Sequence, residues 1–211
     1  MGAEHSMNLS SKLRKYLVMG SQNCKKDPLV ILEEAIDGGI TAFQYREKGP
    51  GSRSGKEKLD LGRKLREKCK ENDILFFIND DLDLVEPLEA DGIHIGQDDE
   101  DAEKVRALFP KKIIGLSVSN TEEVTNSFID SVDYLGAGPI FSTNTKKDAK
   151  PIVGTAWITT LRKAYPDLPI VGIGGITTMN ASEVIRAGAD GVAVISDITH
   201  SKNISRTVKN L

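Results

Sequence analysis

Eight short apolar segments recur along this chain, and longer stretches with helical spacing of apolar residues separate them. The segments are rich in Ile and Val and almost continuously apolar, which is typical of parallel strands buried on both faces. They span 16–20, 40–46, 74–79, 91–96, 112–117, 133–138, 169–174 and 191–196. Eight strands alternating with helices in 211 residues predict an α/β fold, a single-domain (β/α)8 TIM barrel near its minimum length. An open doubly wound sheet is the alternative, and the near-even spacing of the strand starts favours closure.

The segments between the strands carry signals for helix ends. Pro28 follows Asp27, an arrangement typical of a first helical turn, and Gly38 with Gly39 marks the end of that helix. The other predicted helices are 54–70, a helix that begins at a capping box from Asn120 to Glu123, and 180–187.

A helix end followed by Ala-Asp-Gly and a strand occurs twice, at 88–95 and at 186–195, and a looser copy lies at 35–43. Such recurring junctions predict repeated αβ units of one fold. We therefore expect a flexible N-terminal segment at 1–12, part of it introduced for expression ahead of a native Met7, followed by one catalytic barrel domain at 13–211.

Charge and composition exclude several classes of protein. Lys and Arg number 28 against 31 Asp and Glu, so the net charge of −3 lacks the basic signature of a dedicated nucleic-acid binder. No apolar run approaches the length of a membrane span, and the N-terminus has no secretory signal core. Cys24 and Cys69 are too few for a disulfide framework, so we expect reduced thiols and a cytoplasmic enzyme.

In a barrel of this kind, the active site lies at the carboxyl ends of the strands and in the loops that follow them. Most of the predicted strands are followed by polar residues in uncommon combinations. The junctions that lead from a helix into the next strand carry Ala-Asp-Gly and little else. The candidates are Gln44, Arg46, Glu47 and Lys48; Asn79, Asp80 and Asp81; Gln97, Asp98 and Asp99; Ser117 and Ser119; the loop 142–150; Gly174 and Gly175; and Ser196.

The end of the second strand is a candidate anion site. Alternate strand residues share a face, so Gln44, Arg46 and Lys48 are predicted to project to one side. Arg binds phosphate with two parallel hydrogen bonds, and Lys supplies a point charge. An ordinary charged strand end is the alternative.

Two acidic pairs form a candidate metal site. Carboxylates after adjacent strands can meet on one Mg²⁺, which takes one or two carboxylates and completes its shell with water and phosphate oxygens. Because Asp also favours helix starts, we expect one member of each pair to cap a helix and the other to bind metal. The residues alone do not choose between Asp80 and Asp81, or between Asp98 and Asp99.

Two further segments are candidate phosphate contacts. Glycines at 172–176, followed by the last strand and Ser196, predict a phosphate cradle built from backbone amides. The long loop 138–150 has the character of a binding loop or lid, with a basic surface loop as the alternative. Two phosphate-binding regions and a divalent metal imply two phosphorylated ligands.

No Ser-His-Asp or Cys-His arrangement is compelling in this sequence. His94 lies within an apolar strand, where a core histidine with satisfied hydrogen bonds is the simpler interpretation. The absence of a dominant general base favours a reaction driven by departure of a diphosphate.

Seven motifs together resemble the thiamine phosphate synthase family, over nearly the whole chain from Tyr16 onward. They are FQYREKG (43–49), NDD (79–81), GIHIGQDD (92–99), GLSVS (115–119), DYLGAGPIF (133–141), TNTKK (143–147) and GIGGI (172–176). The resemblance implies a cytoplasmic transferase that joins a hydroxymethylpyrimidine diphosphate to a thiazole phosphate, or to its carboxylated form. Diphosphate leaves first, and the thiazole nitrogen captures the pyrimidine methylene cation.

The resemblance also implies roles for individual residues, with Mg²⁺ bound by Asp80 and Asp99. Catalytic roles fall to Arg46, Lys48, Ser117 and Lys146. The substrate-binding set adds Gln44, Tyr45, Glu47, Asn79, Thr143, Asn144, Thr145, Gly174, Gly175, Ile195 and Ser196, with the side chain of Tyr45 expected to face away from the site.

Three alternatives stand beside this interpretation. A thiazole tautomerase of the same family would not need the diphosphate and metal residues, and a non-catalytic barrel that binds a phosphate ligand would show no turnover. Another phosphate-handling barrel, such as an epimerase, would need a proton-transfer pair. We expect small-molecule substrates and no nucleic-acid or membrane partner, and the sequence leaves a homo-oligomer open.

Overall fold

The eight predicted strands form a closed parallel barrel in the computed structural model, which describes residues 9–143 and 151–211. The strands follow one another around the barrel in chain order, and the last pairs with the first. Their bounds are β1 Lys15–Met19, β2 Ala42–Tyr45, β3 Leu75–Asn79, β4 Gly92–Ile95, β5 Ile113–Val118, β6 Tyr134–Ala137, β7 Ile170–Ile173 and β8 Gly191–Val194. No strand boundary departs by more than two residues from its prediction, and closure excludes the open doubly wound sheet.

Helices on the outside of the barrel connect the strands, except that a short 3-10 helix, Leu82–Leu84, connects β3 to β4. Their bounds are α1 Pro28–Gly38, α2 Gly55–Glu71, α3 Ala102–Leu108, α4 Thr121–Asn126, α5 Gly154–Ala164, α6 Ala181–Arg186, α7 Ser196–Thr199 and α8 Ile204–Lys209. Asp27 caps α1 by accepting a hydrogen bond from the backbone of Leu29, and Gly39 ends that helix in the left-handed region, as predicted. The capping box is half confirmed: Asn120 accepts from the backbone of Glu123, but the Glu123 carboxylate accepts from the backbone N–H of Ser119.

Alternating side chains divide the core into two layers. Within β2, Ala42 belongs to the cluster inside the barrel, whereas Phe43 and Tyr45 belong to the larger cluster between strands and helices. The same alternation runs through β1, where Tyr16 points inward and Leu17 outward. Since alternate strand residues share a face, Gln44 also points into the barrel, as predicted.

Large rings fill the lower barrel because glycines on neighbouring strands leave room for them. A Cβ at Gly115 would collide with the ring of Tyr134, and one at Gly92 would lie 2.5 Å from the ring of Phe77. The rings of Phe77 and Tyr134 meet edge to face with centroids 5.6 Å apart. These glycines therefore serve interior packing, a use that the sequence analysis did not anticipate.

The repeated Ala-Asp-Gly junction has a structural role at the amino ends of the strands. Asp190, just before β8, accepts hydrogen bonds from the backbone of Ile170 and the guanidinium of Arg162. Asp91 binds the backbone of Phe76 and Arg66 in the same way.

A third copy of this clamp lies before β6, where the sequence reads Val-Asp-Tyr. Asp133 accepts from the backbone of Ile114 at 2.8 Å and from Arg106 at 2.6 Å. Before β2, the hydroxyl of Thr41 accepts from the backbone of Lys15 at 3.0 Å and replaces the carboxylate. One acceptor thus ties each even-numbered strand to the strand before it.

The chain enters the barrel earlier than predicted. Residues 9–12 are helical, and the side chains of Leu9 and Leu13 are buried against Tyr16 at the lower end of the barrel. Leu9 therefore belongs to the core although it precedes the expected domain start at 13, and the flexibility of the segment 1–12 stays a prediction. Residues 1–8 lie outside the described residues.

Two smaller expectations concern membranes and thiols. Among the described residues, no helix has the length and apolar character needed to cross a membrane. Both cysteines are free thiols, with Cys69 buried and Cys24 partly buried. Burial raises the pKa of Cys24 to about 12, so the thiol is protonated at neutral pH and is a poor nucleophile.

Candidate active site

The segment that follows β2 enters the upper, carboxyl end of the barrel. Gln44 is buried inside the barrel, where its amide nitrogen donates to the hydroxyl of Tyr16 at 3.0 Å. Tyr45 faces the other way and donates to the backbone carbonyl of Lys58 on α2. Its side chain therefore faces away from the site, as expected, and is not placed to bind substrate.

Arg46 follows at the barrel mouth. Its backbone carbonyl accepts from the side chain of Gln22, and its backbone N–H donates to Met19. Its guanidinium Nε is buried and, within the part of the chain that the structure describes, has no hydrogen-bond partner. A buried cationic donor without an acceptor is costly, so this nitrogen is well suited to receive an anion.

Glu47 joins the loops of the site through its carboxylate. Its buried carboxylate accepts hydrogen bonds from the backbone and hydroxyl of Ser21 and from the backbone of Arg53. These bonds join the loop after β1 to the loop after β2. Three donors of the chain occupy its oxygens, so the structure gives Glu47 a positioning role, and its contact with substrate stays a prediction.

Lys48 lies between the two carboxylates predicted to bind metal. Its ammonium nitrogen is 2.5 Å from an oxygen of Asp80 and 3.9 Å from an oxygen of Asp99. The hydrogen bond that Lys48 donates to Asp80 raises the pKa of Lys48, and the charges of Asp80 and Asp99 act in the same direction. Lys48 thus remains a cation at neutral pH at the point where two carboxylates converge.

The backbone of Asp80 is held in an uncommon conformation. Its φ of 49° lies in the left-handed region, which Asp tolerates at a cost of about 1 kcal/mol. Its N–H donates to the carbonyl of His94 at 2.9 Å, and its carboxylate accepts from Asn79 at 2.7 Å. The neighbouring strands therefore define where this carboxylate lies.

The expectation that one member of each acidic pair caps a helix is wrong. Asp81 pairs with Lys58 at 2.5 Å, and Asp101 caps α3 by accepting from the backbone of Glu103. Asp99 instead accepts from the backbone of Gly96 at 2.7 Å, which closes its own loop. Asp81 directly precedes the 3-10 helix Leu82–Leu84, but its side chain makes no capping hydrogen bond.

Two carboxylates near one cation suit Mg²⁺ better than a metal that needs a full protein cage. Within residues 9–143 and 151–211, no three His, Cys, Asp or Glu side chains form a metal-binding group. Mg²⁺ commonly takes one or two carboxylates and fills its shell with water and phosphate oxygens. Because the ammonium of Lys48 marks a position within reach of both Asp80 and Asp99, these residues fit that ion.

Ser117 lies inside the barrel at the end of β5 and is held from two sides. Its backbone carbonyl accepts from Gln97 at 2.9 Å. Its hydroxyl lies 2.8 Å from Nε2 of His94, whose Nδ1 lies 2.8 Å from the hydroxyl of Tyr134. His94 is thus a core histidine with both ring nitrogens bonded, as predicted.

Tyr16 and Tyr134 are the polar residues of this interior that sequence reasoning missed. Their hydroxyls lie 3.0 Å apart, deep in the barrel. Their positions in the sequence indicated this role, because both tyrosines occupy inward positions on strands whose other inward residues are small or apolar.

The predicted phosphate cradle follows β7. Gly174 and Gly175 have φ values of 98° and 63°, a backbone that favours glycine. A Cβ at Gly175 would lie 2.8 Å from the Cβ of Phe141. The loop after β6 packs onto this turn, since the N–H of Phe141 donates to the carbonyl of Gly174 at 3.0 Å.

Side chains on both sides hold the cradle in shape. Asn180 donates to the carbonyl of Gly175 and accepts from the backbone of Thr177. Asp197, in α7, accepts from the backbone of Thr178 at 3.0 Å. The glycine turn and the segment with Ile195 and Ser196 are therefore brought together, as predicted.

Part of the predicted site lies outside the described residues. Asn144, Thr145 and Lys146 fall there with most of the loop 142–150, whereas Thr143 is the last described residue before it. A cavity of about 450 Å³ opens here, lined by Glu47, Lys48, Lys58, Asn79, Asp80, Asp81, Leu82 and Asp83. The described part of the site thus has a candidate anion and metal side after β2–β4 and a candidate phosphate cradle after β7 and β8.

Comparison with known proteins gives consistent results. A sequence model described as thiamine monophosphate synthase matches residues 15–198. A thiamine-phosphate synthase of Oceanobacillus iheyensis is 57% identical over 199 residues, which cover 94% of this chain and 97% of that protein. Thiamine-phosphate synthase 1 of Streptococcus pneumoniae is 44% identical over 200 residues, covering 94% and 96%.

Solved structures show the same likeness. A thiamine phosphate pyrophosphorylase from Pyrococcus furiosus superposes with a TM-score of 0.86 at 34% identity, covering 97% of this chain and 96% of that one. A 3-hexulose-6-phosphate synthase superposes with a TM-score of 0.68 at 15% identity, covering 93% and 97%, and shows the barrel fold alone.

Proposed function

This chain belongs to the thiamine monophosphate synthase family, and on that premise we propose that the rim after its strands couples two substrates with the aid of Mg²⁺. The chain is a transferase that forms thiamine phosphate. The substrates are a hydroxymethylpyrimidine diphosphate and a phosphoethyl thiazole, and the second product is diphosphate. We place the reaction in the cytoplasm.

The observation that carries the proposal is the cluster of Arg46, Lys48, Asp80 and Asp99. It combines a buried guanidinium nitrogen with no acceptor among the described residues and an ammonium between two carboxylates. A diphosphate needs cationic donors, and two carboxylates next to them can bind the metal that a diphosphate carries. A barrel that binds only a phosphate monoester does not need the cationic donors and the pair of carboxylates together.

The reaction begins when the bond between the pyrimidine methylene carbon and a diphosphate oxygen breaks, and its electron pair stays on the diphosphate. Arg46 and Lys48 stabilise the charge that develops on the leaving oxygen. Lys146 and Ser117 are proposed to contact the same group. Mg²⁺, when bound by Asp80 and Asp99, would supply further charge neutralisation.

The thiazole nitrogen then donates its lone pair to the methylene carbon and forms the new C–N bond. The thiazole is held by its phosphate in the cradle of Gly174, Gly175, Ile195 and Ser196. Holding both substrates in one pocket makes the capture effectively unimolecular, which lowers its entropic cost.

Purified protein incubated with both substrates and Mg²⁺, with products followed by mass spectrometry, tests the proposal. Thiamine phosphate and diphosphate should appear in equal amounts, cease with EDTA and return with excess Mg²⁺. Absence of product at saturating substrate concentrations would contradict the proposed reaction. An undiminished yield of product in EDTA would contradict the proposed role of Mg²⁺.

A further inference from the structure

Five polar side chains form a continuous chain of hydrogen bonds across the inside of the barrel. The donors and acceptors are 3.0 Å apart from Gln44 to Tyr16 and from Tyr16 to Tyr134, and 2.8 Å apart from Tyr134 to His94 and from His94 to Ser117. The chain joins two residues of the proposed site, Gln44 and Ser117, through three residues to which the reaction assigns no role.

The donor at one end sets the direction of every hydrogen bond in this series of five side chains. The amide nitrogen of Gln44 can only donate, so the oxygen of Tyr16 accepts its hydrogen. Among the described residues, the hydroxyl of Tyr134 is the one bonded partner that can accept the Tyr16 proton, so Tyr16 donates onward to Tyr134. Tyr134 in turn donates to Nδ1 of His94. Burial raises the pKa of both tyrosines, so each keeps the proton that it passes along.

This direction leaves His94 with one consistent form. With Nδ1 accepting, the proton of a neutral ring resides on Nε2 and is donated to the hydroxyl oxygen of Ser117. The hydroxyl proton of Ser117 then has to point away from His94, where an acceptor on a ligand can take it.

We propose that His94 is a positioning residue for the reaction: the buried tyrosines hold it in the Nε2–H form, and it fixes Ser117 as a donor to the leaving diphosphate. This inference rests on the proposed function, because it assigns the acceptor of the Ser117 proton. His94 itself touches no substrate in this account.

The backbone around the histidine is shaped to hold this arrangement. A Cβ at Gly136 would lie 2.9 Å from Cε1 of His94 and 3.6 Å from the hydroxyl oxygen of Ser117, so glycine leaves the pair its space. The carbonyl of His94 accepts from the N–H of Asp80, which links the histidine to the carboxylate side of the site as well.

Two substitutions of His94 separate its two hydrogen bonds. In His94→Gln the side-chain amide reaches the place of Nε2 and can still donate to Ser117. In His94→Asn the shorter amide can accept from Tyr134 but does not reach Ser117. The two variants thus form a matched pair of similar polarity at the same partly buried position.

Single-turnover coupling rates should follow the bond to Ser117. A hydrogen bond to a charged group contributes about 10–100-fold in rate. His94→Asn and Ser117→Ala should each lose about that much, and the double variant should lose no more than either alone. His94→Gln should stay within about threefold of wild type, and KM for the thiazole phosphate should not change in any of them.

Nitrogen NMR of the free wild-type protein checks the direction of the chain without substrate. The sequence has three histidines, so His94→Gln identifies the signals of His94. We expect a protonated Nε2 and an unprotonated Nδ1. The reverse tautomer or a doubly protonated ring would overturn the inference.

Kinetics can overturn it as well. Equal losses in His94→Gln and His94→Asn, or losses of His94→Asn and Ser117→Ala that multiply in the double variant, would assign His94 a packing role only. An inactive wild-type protein would contradict the proposed function instead, so the two failures are distinguishable.

Discussion

The ammonium group of Lys48 lies 2.5 Å from the carboxylate of Asp80, although the two residues are 32 positions apart in the sequence. The contact joins the loop after β2 to the loop after β3 at the carboxyl end of the barrel. It places a fixed positive charge beside the carboxylates that we assign to Mg²⁺.

The first prediction concerns the pH range over which this contact stabilises the fold. The hydrogen bond to Asp80 raises the pKa of Lys48 above its ordinary value of 10.5, so the folded state binds the proton more tightly than the unfolded state. The stabilisation is therefore fully present below pH 10.5 and is lost as pH rises through the higher folded pKa. The free energy of unfolding of wild type minus that of Lys48→Met should be constant from neutral pH to about 10 and decrease above that. A decrease that is already complete at pH about 9 would contradict the ion pair.

The second prediction concerns the clamps at the amino ends of the strands. The side chain of Asp133 is only 9% exposed, and it binds both Arg106 and the backbone of Ile114. Asp133→Ala should therefore lower the free energy of unfolding by about 3 kcal/mol while the folded enzyme keeps its turnover.

The control for this clamp is an ion pair on the surface. Lys70 and Glu89 are 68% and 73% exposed, so Lys70→Ala should cost less than about 0.5 kcal/mol. Urea denaturation of both variants gives the comparison, and equal losses would remove the structural role assigned to the clamp.

The third prediction separates backbone strain from damage to the cradle. Gly175 and Gly39 both have positive φ, but a Cβ at Gly39 meets nothing within 4 Å, whereas one at Gly175 would press on Phe141. Both Ala variants should lose about 1 kcal/mol of stability or more.

Only Gly175→Ala should raise KM for the thiazole phosphate, by roughly tenfold or more, because the turn must move. Steady-state kinetics with each substrate varied in turn measures this. An unchanged KM in Gly175→Ala, or an equal rise of KM in Gly39→Ala, would contradict the assignment of Gly175 to the binding site of the thiazole phosphate.

The barrel was predictable because each strand is a short apolar run in which both faces are buried. Such runs are recognised directly in the amino-acid sequence. The carboxyl-end rim was predictable for the same reason, since strand ends locate the loops. The clamp of Asp133 was not, because Val-Asp-Tyr lacks the Ala-Asp-Gly pattern and only the position before β6 identifies it.

Side-chain direction limited the prediction of the site. Glu47 lies in a binding segment, but nothing in its sequence neighbours shows that Ser21 and Arg53 take up its carboxylate. The chain from Gln44 to Ser117 was equally hidden, because its members come from five different strands and meet only when the barrel closes. The roles of Asp80 and Asp99 came from family resemblance, and the geometry adds that both approach Lys48.

The central claim is that Asp80, with Asp99 and Lys48, forms the metal and diphosphate site of the reaction. Asp81 is its natural control, because it is adjacent in sequence and lines the same cavity, but its carboxylate pairs with Lys58 instead of Lys48. The most direct measurement is the single-turnover coupling rate of Asp80→Asn and Asp81→Asn over a range of Mg²⁺ concentrations. We predict a loss of more than about 100-fold for Asp80→Asn, partly recovered by high Mg²⁺, and a rate within about threefold of wild type for Asp81→Asn. Wild-type rates and wild-type Mg²⁺ dependence in Asp80→Asn would contradict the account.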